Sequence, residues 1–258
     1  MKLLTLNCHS WQEEKQLEKI KYLAKIIVEN DYDVIALQEV SQRISMNGQI
    51  AKDNYVYILM KELKSLGADK YEAVWELSHI GYDIYEEGLA LLTKHKIIDY
   101  ESFYVSKSKD VKDYKSRKII KAKICINNYE FQFLSCHLGW WQDKDESFKD
   151  QVDKLFGNIN EKVETFIMGD FNNDAFIKGE GYDYLLNKGV YDTYHLSKKK
   201  DNGVTVKGRI DGWEEDFENK RLDLIIVNNK VDIRSSRVIF NGKNKDIISD
   251  HYGVEIIL

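Results

Sequence analysis

The chain opens on KLLTLN (2–7), a short apolar run, and DVIALQ (33–38) is a second. Between them Leu17, Ile20, Leu23, Ala24, Ile27 and Val28 recur at helical spacing over 14–30, so a β-α-β start is predicted. Val56, Leu59, Met60 and Leu63 predict one face of a helix over 54–66. The rhythm then changes. YEAVWEL (71–77), GLALLT (88–93), IDYESFYV (98–105), RKIIKAKICI (117–126) and YEFQFLSCHL (129–138) are strand-like runs separated by short turns. KAKICI and EFQFLSC alternate, as strands with two different faces do, and Asn127-Asn128 suits a tight hairpin turn between them. A helix near 145–160 leads to strand ETFIM (164–168), and a helix at 180–188 leads to a polar loop over 196–220. RLDLIIV (221–227), SSRVIF (235–240) and YGVEIIL (252–258) complete the strands. No repeat or linker divides this order, so one domain over 1–258 is expected, with two packed sheets flanked by helices.

Polar residues close or interrupt these apolar runs. Asn7 ends the first, Glu39 the second and His137 the fifth of the middle series; Asp250 and His251 precede the last. Asp170, Asn172, Asn173 and Asp174 crowd behind FIMG, and Asp223 stands inside RLDLIIV. Any one of them can be a turn former. A carboxylate inside an apolar strand needs a partner, however, and catalytic groups collect where loops converge over a rigid sheet. Carboxylates with amide and imidazole neighbours suit a hard cation such as Mg²⁺ or Mn²⁺. Asp and His together supply a base and a charge-stabilising donor for phosphoryl chemistry.

Composition narrows the partners. Hydrophobic residues make up 43% and charged residues 31% of 258, the profile of a soluble globular protein. The net charge of −5, with Lys and Arg dispersed, argues against a dedicated nucleic-acid binder. Cys8, Cys125 and Cys136 have no CxxC spacing, as expected of free thiols in a reducing cytosol. The apolar stretch of MKLLTLNCHS is too short for a signal-peptide core, and no segment has the roughly 20 apolar residues of a membrane span. A cytoplasmic protein without a membrane or obligate protein partner is therefore expected. Proline is absent, which fits an AT-rich genome or deliberate redesign.

LTLN, LQEV, HL, GDFNND, RLDLIIV and SDH, in this order across nearly the whole chain, resemble the endonuclease/exonuclease/phosphatase superfamily. The resemblance implies a four-layer α/β sandwich of the DNase I-like kind, with two central mixed sheets and a Mg²⁺-dependent phosphoesterase site at one end. It implies Glu39 as main metal ligand, with Asn7 and Asp250 beside the metal. It implies Asp170 for the attacking water, Asn172 and His137 on the phosphate, and His251 held by Asp223. LTLNCHSWQEE, HIGYDIYEEGLALLTKH, CHLGWW and GWEED further resemble a Firmicutes subgroup that includes maltose 6'-phosphate phosphatase. A sugar phosphate substrate follows, with Trp140 and Trp141 on the rim, at least one of them stacking a sugar ring. Arg117 is a candidate second phosphate contact, Tyr82 a candidate hydroxyl contact, and His9 a neighbour of open role. The rival readings are a nuclease or other phosphodiesterase of the same superfamily, and a catalytically silent binding module.

Overall fold

The computed structural model describes residues 1–45 and 49–258. The opening unit is β1 (Lys2–Asn7), α1 (Gln16–Asn30) and β2 (Val34–Arg43). Then come α2 (Tyr55–Ser65), β3 (Glu72–Gly81), β4 (Tyr85–Thr93), β5 (Lys96–Tyr104), β6 (Lys118–Ile126) and β7 (Tyr129–His137). The second half carries α3 (Phe148–Gly157), β8 (Thr165–Asp170), α4 (Gly181–Leu186), β9 (Tyr191–Asp192), α5 (Thr193–Leu196) and β10 (Lys199–Lys200). It ends with β11 (Asp223–Val227), β12 (Ser235–Ile239) and β13 (Gly253–Ile257).

These strands form two mixed sheets. One has seven strands in the order β10-β12-β13-β1-β2-β4-β3, and the other six in the order β5-β6-β7-β8-β11-β9. Side-chain alternation sorts the apolar residues into three layers of core. Leu3, Val34 and Ala36 from the first sheet meet Ile120, Ala122, Phe133, Phe166 and Met168 from the second, and this layer joins the sheets. Leu4, Leu6, Ile35 and Leu37 point the other way, onto Ile20, Leu23 and Ile27 of α1 and Leu59 and Leu63 of α2. Ile119, Leu134 and Ile167 likewise face Val152 and Leu155 of α3 and Leu185 of α4. Each Leu, Ile, Val, Phe or Met among them, fully buried, contributes about 1.5–3 kcal/mol. Helix, sheet, sheet, helix is the four-layer sandwich that was expected.

Helix starts follow local chemistry. Asn54 caps α2, its side chain accepting from the backbone of Val56 and Tyr57, a bond worth about 1 kcal/mol. Among the described residues no helix is long and apolar enough to cross a membrane. All three cysteines are free.

Three expectations about the strands change. The second strand does not stop at Glu39 but runs on to Arg43, passing Glu39 through a break in its pairing with β4. The strands read over 71–77 and 88–93 are longer than expected: β3 and β4 extend into HIGYDIYEEG and leave only residues 82–84 as the turn. Asp223 opens β11 instead of interrupting it, because the two preceding residues have left the ladder.

Candidate active site

Register brings the polar strand ends together. In the second sheet His137 pairs with Asp170, and Asp170 pairs with Asp223, so three strands set these side chains in one row. Gly169 makes the approach of β8 to β7 possible: a Cβ there would lie 1.9 Å from the Cys136 carbonyl oxygen, at a φ of +154°. Asp170 follows immediately, and the chain turns at Asn172 with a φ of 48°. Asn7 stands at the end of β1 in the first sheet. Glu39 reaches it through the bulge: pairing with β4 shifts between Leu37 and Val40, and Glu39 takes a φ of 51°. A bulge of this kind re-aims one side chain out of the alternation, at a backbone cost of order 1–3 kcal/mol.

The Asn7 amide nitrogen then bridges the two sheets, lying 2.8 Å from Glu39 Oε1 and 3.1 Å from Asp170 Oδ2. Asp170 Oδ1 accepts the backbone N–H of Asn172 at 2.8 Å, while its Oδ2 lies 3.7 Å from both His137 Nε2 and His251 Nε2. His251 Nδ1 is 2.9 Å from Asp223 Oδ2. Asn172 Nδ2 donates to the Leu138 carbonyl at 3.0 Å and faces His137 Nε2 at 3.1 Å.

Burial and mutual charge give each group its protonation bias. Burial lowers the His251 imidazole, but the Asp223 and Asp170 carboxylates outweigh it and hold the ring charged well above its ordinary range. Burial raises Asp170, yet His251, His137 and the Asn172 N–H bring it below the usual carboxylate value. Burial and the Arg117 guanidinium push His137 down to about 4. Burial, Glu87 and Asp250 together push Glu39 up to about 8. The field that makes Glu39 hold a proton is one that also attracts a divalent cation. Glu39, His137 and Asp170 offer ligand atoms within 4.8 Å of one another, and the carboxylate oxygens among them suit a hard ion.

These groups floor a cleft of about 310 Å³. Its walls add His79, Glu87, Arg117 and Trp140 on one side and Tyr82, Asp211, Gly212 and Glu214 across the mouth. Tyr82 donates its hydroxyl to Asp211, tying the β3–β4 turn to the polar loop before β11. Arg117 is buried, with NH1 donating to the Tyr114 carbonyl at 2.8 Å and the guanidinium 5.6 Å from the Trp140 ring centre.

A profile of the Endonuclease/Exonuclease/phosphatase family matches residues 4–251. An endonuclease/exonuclease/phosphatase family protein from Leptotrichia buccalis C-1013-b is similar over 100% of this chain and 98% of its own, with 39% identity and a TM-score of 0.91. The chain belongs to the endonuclease/exonuclease/phosphatase family. Its two mixed sheets flanked by helices are the DNase I-like sandwich, and as a member of this family it is a phosphoesterase. The same fold recurs in a mannosyl-6-phosphatase from Bacteroides thetaiotaomicron VPI-5482 (17% identity, TM-score 0.73, covering 100% of this chain and 98% of that one). It recurs too in D. rerio TDP2 complexed with single strand DNA product (14% identity, TM-score 0.68, covering 99% and 97%). A comparison with curated proteins finds no match by sequence.

Within this family frame, the structure brings Asn7, Glu39, His137, Asp170, Asn172, Asp223 and His251 into one network. Arg117, Trp140 and Tyr82 line the same cleft. Four expectations are revised. Trp141 points away and packs on Phe148 and Tyr184, with ring centres 6.2 and 6.1 Å apart, against the core layer between the second sheet and its helices. Trp140 is no open platform, for Arg117 covers its ring and Gly212 sits against its edge. His9 lies outside the lining and pairs with Glu13 at 2.9 Å and Asp250 at 3.6 Å. Asn7 turns its carbonyl oxygen to the His9 backbone N–H at 3.1 Å and meets Glu39 and Asp170 through its amide nitrogen.

Sequence reading missed His79, Glu87 and Trp213. His79 Nε2 lies 3.2 Å from Glu87 Oε1 beside Arg117, inside the extended β3–β4 hairpin. A charged pair in the middle of two strand runs was the available signal. Trp213 donates its indole N–H to Asn172 Oδ1 at 3.1 Å, a contact between residues 41 apart in a loop without periodicity.

Proposed function

We propose that the protein is a Mg²⁺-dependent phosphomonoesterase acting on a small sugar phosphate, with maltose 6'-phosphate, the substrate of the Firmicutes subgroup its motifs resemble, as the best single candidate. The observation that carries this reading is the Tyr82–Asp211 bond across the mouth of a 310 Å³ cleft. The bond ties two segments of the lining together, and a cleft of that volume has room for a phosphate and part of a sugar. The lining agrees in charge, since Asp211 and Glu214, part of the acidic run over 211–218, would repel a polyanion. Sugar-phosphate chemistry and a DNA product are both named among proteins of this fold, so the cleft and not the fold favours the monoester.

Glu39 would hold Mg²⁺ or Mn²⁺, with Asp170 and Asp250 adding negative charge nearby. When bound, the cation supplies charge stabilisation for the phosphoryl oxygens. Asp170 orients the attacking water and takes up its proton as the new P–O bond forms; the P–O bond to the sugar breaks, and the departing sugar oxygen takes a proton from solvent water. The two Asp170 oxygens are already steered by Asn172 and Asn7. His251, held charged by Asp223, donates to a phosphoryl oxygen. Asn172 offers the Nδ2 hydrogen that faces His137 in the open cleft. His137 hydrogen-bonds the phosphate once its Nε2 carries a proton and gives up the Asn172 contact. Arg117 adds long-range positive charge, and Tyr82, Asp211 and Glu87 present acceptors and a donor to sugar hydroxyls. The free thiols accord with work in the cytoplasm, and the only partner invoked is the substrate.

The test compares sugar phosphates, p-nitrophenyl phosphate, bis-p-nitrophenyl phosphate and plasmid DNA, each with Mg²⁺ and with EDTA. Cation-dependent release of phosphate from a sugar monoester, with slow diester cleavage, is the expected result. Activity that survives EDTA would sink the metal assignment. Efficient plasmid nicking with negligible phosphatase activity would move the protein to the diesterase reading.

A further inference from the structure

Lys220 is fully buried, which is unusual for a lysine and calls for partners. Its Nζ donates to the carbonyls of Gly208, Asp216 and Glu218 at 3.2, 3.1 and 2.8 Å. The Asp216 carboxylate lies 3.3 Å away, and the Trp213 ring centre 5.5 Å away. One ammonium therefore gathers a loop of otherwise irregular backbone around itself. The consequence at the other side of that loop is the Trp213 indole N–H, placed 3.1 Å from Asn172 Oδ1. An amide has two chemically different ends, and an indole N–H can only meet the oxygen. With Oδ1 taken, Nδ2 must face Leu138 and the floor of the cleft, where the phosphate belongs.

We propose that Trp213 is a positioning residue for the reaction, clamped by Lys220 so that the Asn172 amide keeps Nδ2 toward the phosphate. This rests on the phosphate-binding role given to Asn172 above. The loop that covers the cleft is then also the part that orders a phosphate ligand on its floor.

The experiment is a double-mutant cycle on p-nitrophenyl phosphate, which carries no sugar and so isolates the phosphate end. Trp213→Phe keeps an aromatic ring beside Lys220 and removes the N–H together with part of the indole's bulk. It should lower kcat roughly tenfold, about the value of one lost hydrogen bond, with KM changed much less and the melting temperature nearly unchanged. In an Asn172→Ala background the same substitution should cost nothing further, because its one target is gone. Lys220→Met should reproduce the kcat loss of Trp213→Phe. If that variant does not fold, the Trp213–Asn172 cycle decides alone. Independent, additive losses at Trp213 and Asn172, or a Trp213→Phe enzyme equal to wild type, would overturn the proposal while leaving the phosphatase reading intact. A silent Asn172→Ala would instead remove the role of Asn172 itself, and the inference with it.

Discussion

Asp170 is approached from every side of the cleft. A backbone N–H, the Asn7 amide and two imidazoles converge on its two oxygens, and together they keep it ionised in spite of complete burial. Asp170→Asn should therefore leave substrate binding nearly intact and lower kcat by about 10²–10⁴, the usual worth of a positioned base. Steady-state kinetics decides this: a raised KM with kcat unchanged would make Asp170 a binding residue. Asp223 acts one step away. Its Oδ2 holds His251 at 2.9 Å, so its contribution to the site passes through the imidazole. Asp223→Ala and His251→Ala should each cost nearly as much as the double variant. Fully additive losses would show that the two work separately.

At the scale of elements, the site depends on two places where the backbone leaves regularity. Gly169 lets β8 pass against β7, and Gly88 does the same for β4 against β3, where a Cβ would lie 2.0 Å from the Glu76 carbonyl oxygen. Gly169→Ala should destabilise the fold by about 1–3 kcal/mol or more, since the clash is with backbone that cannot swing aside. A thermal melt unchanged from wild type would show that the sheet accommodates the methyl group. This also explains what was legible beforehand. The apolar periods of β1, β2, β6 and β8 announced the two sheets, because alternation is a local property of the chain. Gly169 before Asp170 could be read from FIMGDFNND as a break. The bulge at Glu39 could not, since LQEV looks like the end of a strand and the register shift is set by β4, some 50 residues on. Trp213 and Lys220 were invisible for the same reason: loop contacts leave no period. HLGWW pointed to the rim, but two adjacent tryptophans could not reveal which one Phe148 and Tyr184 would claim.

For the whole molecule the deciding quantity is charge. The protein carries a net charge of −5, and its cover loop sets carboxylates at the mouth of the cleft. The cationic groups near the floor, Arg117 and His251, are buried behind that rim. On the reading proposed above, a small anion would reach them, whereas a DNA strand would first meet the carboxylates of Asp211 and Glu214. Its approach is opposed over a Debye length of about 10 Å at 0.1 M salt. Added salt should therefore have opposite effects on two enzyme types. A nuclease that releases counterions on binding loses affinity steeply, by about 10³–10⁵ between 50 and 200 mM salt when it makes several phosphate contacts. Here, any residual cleavage of plasmid DNA should stay level or rise as salt screens the repulsion, and hydrolysis of a sugar phosphate should change only a few-fold. Initial rates on both substrates, measured at fixed Mg²⁺ across that salt range, make the comparison. A steep fall in DNA cleavage with salt, starting from efficient turnover, would mean that a cationic track for nucleic acid exists on this surface and that the closed, acidic mouth does not select the substrate.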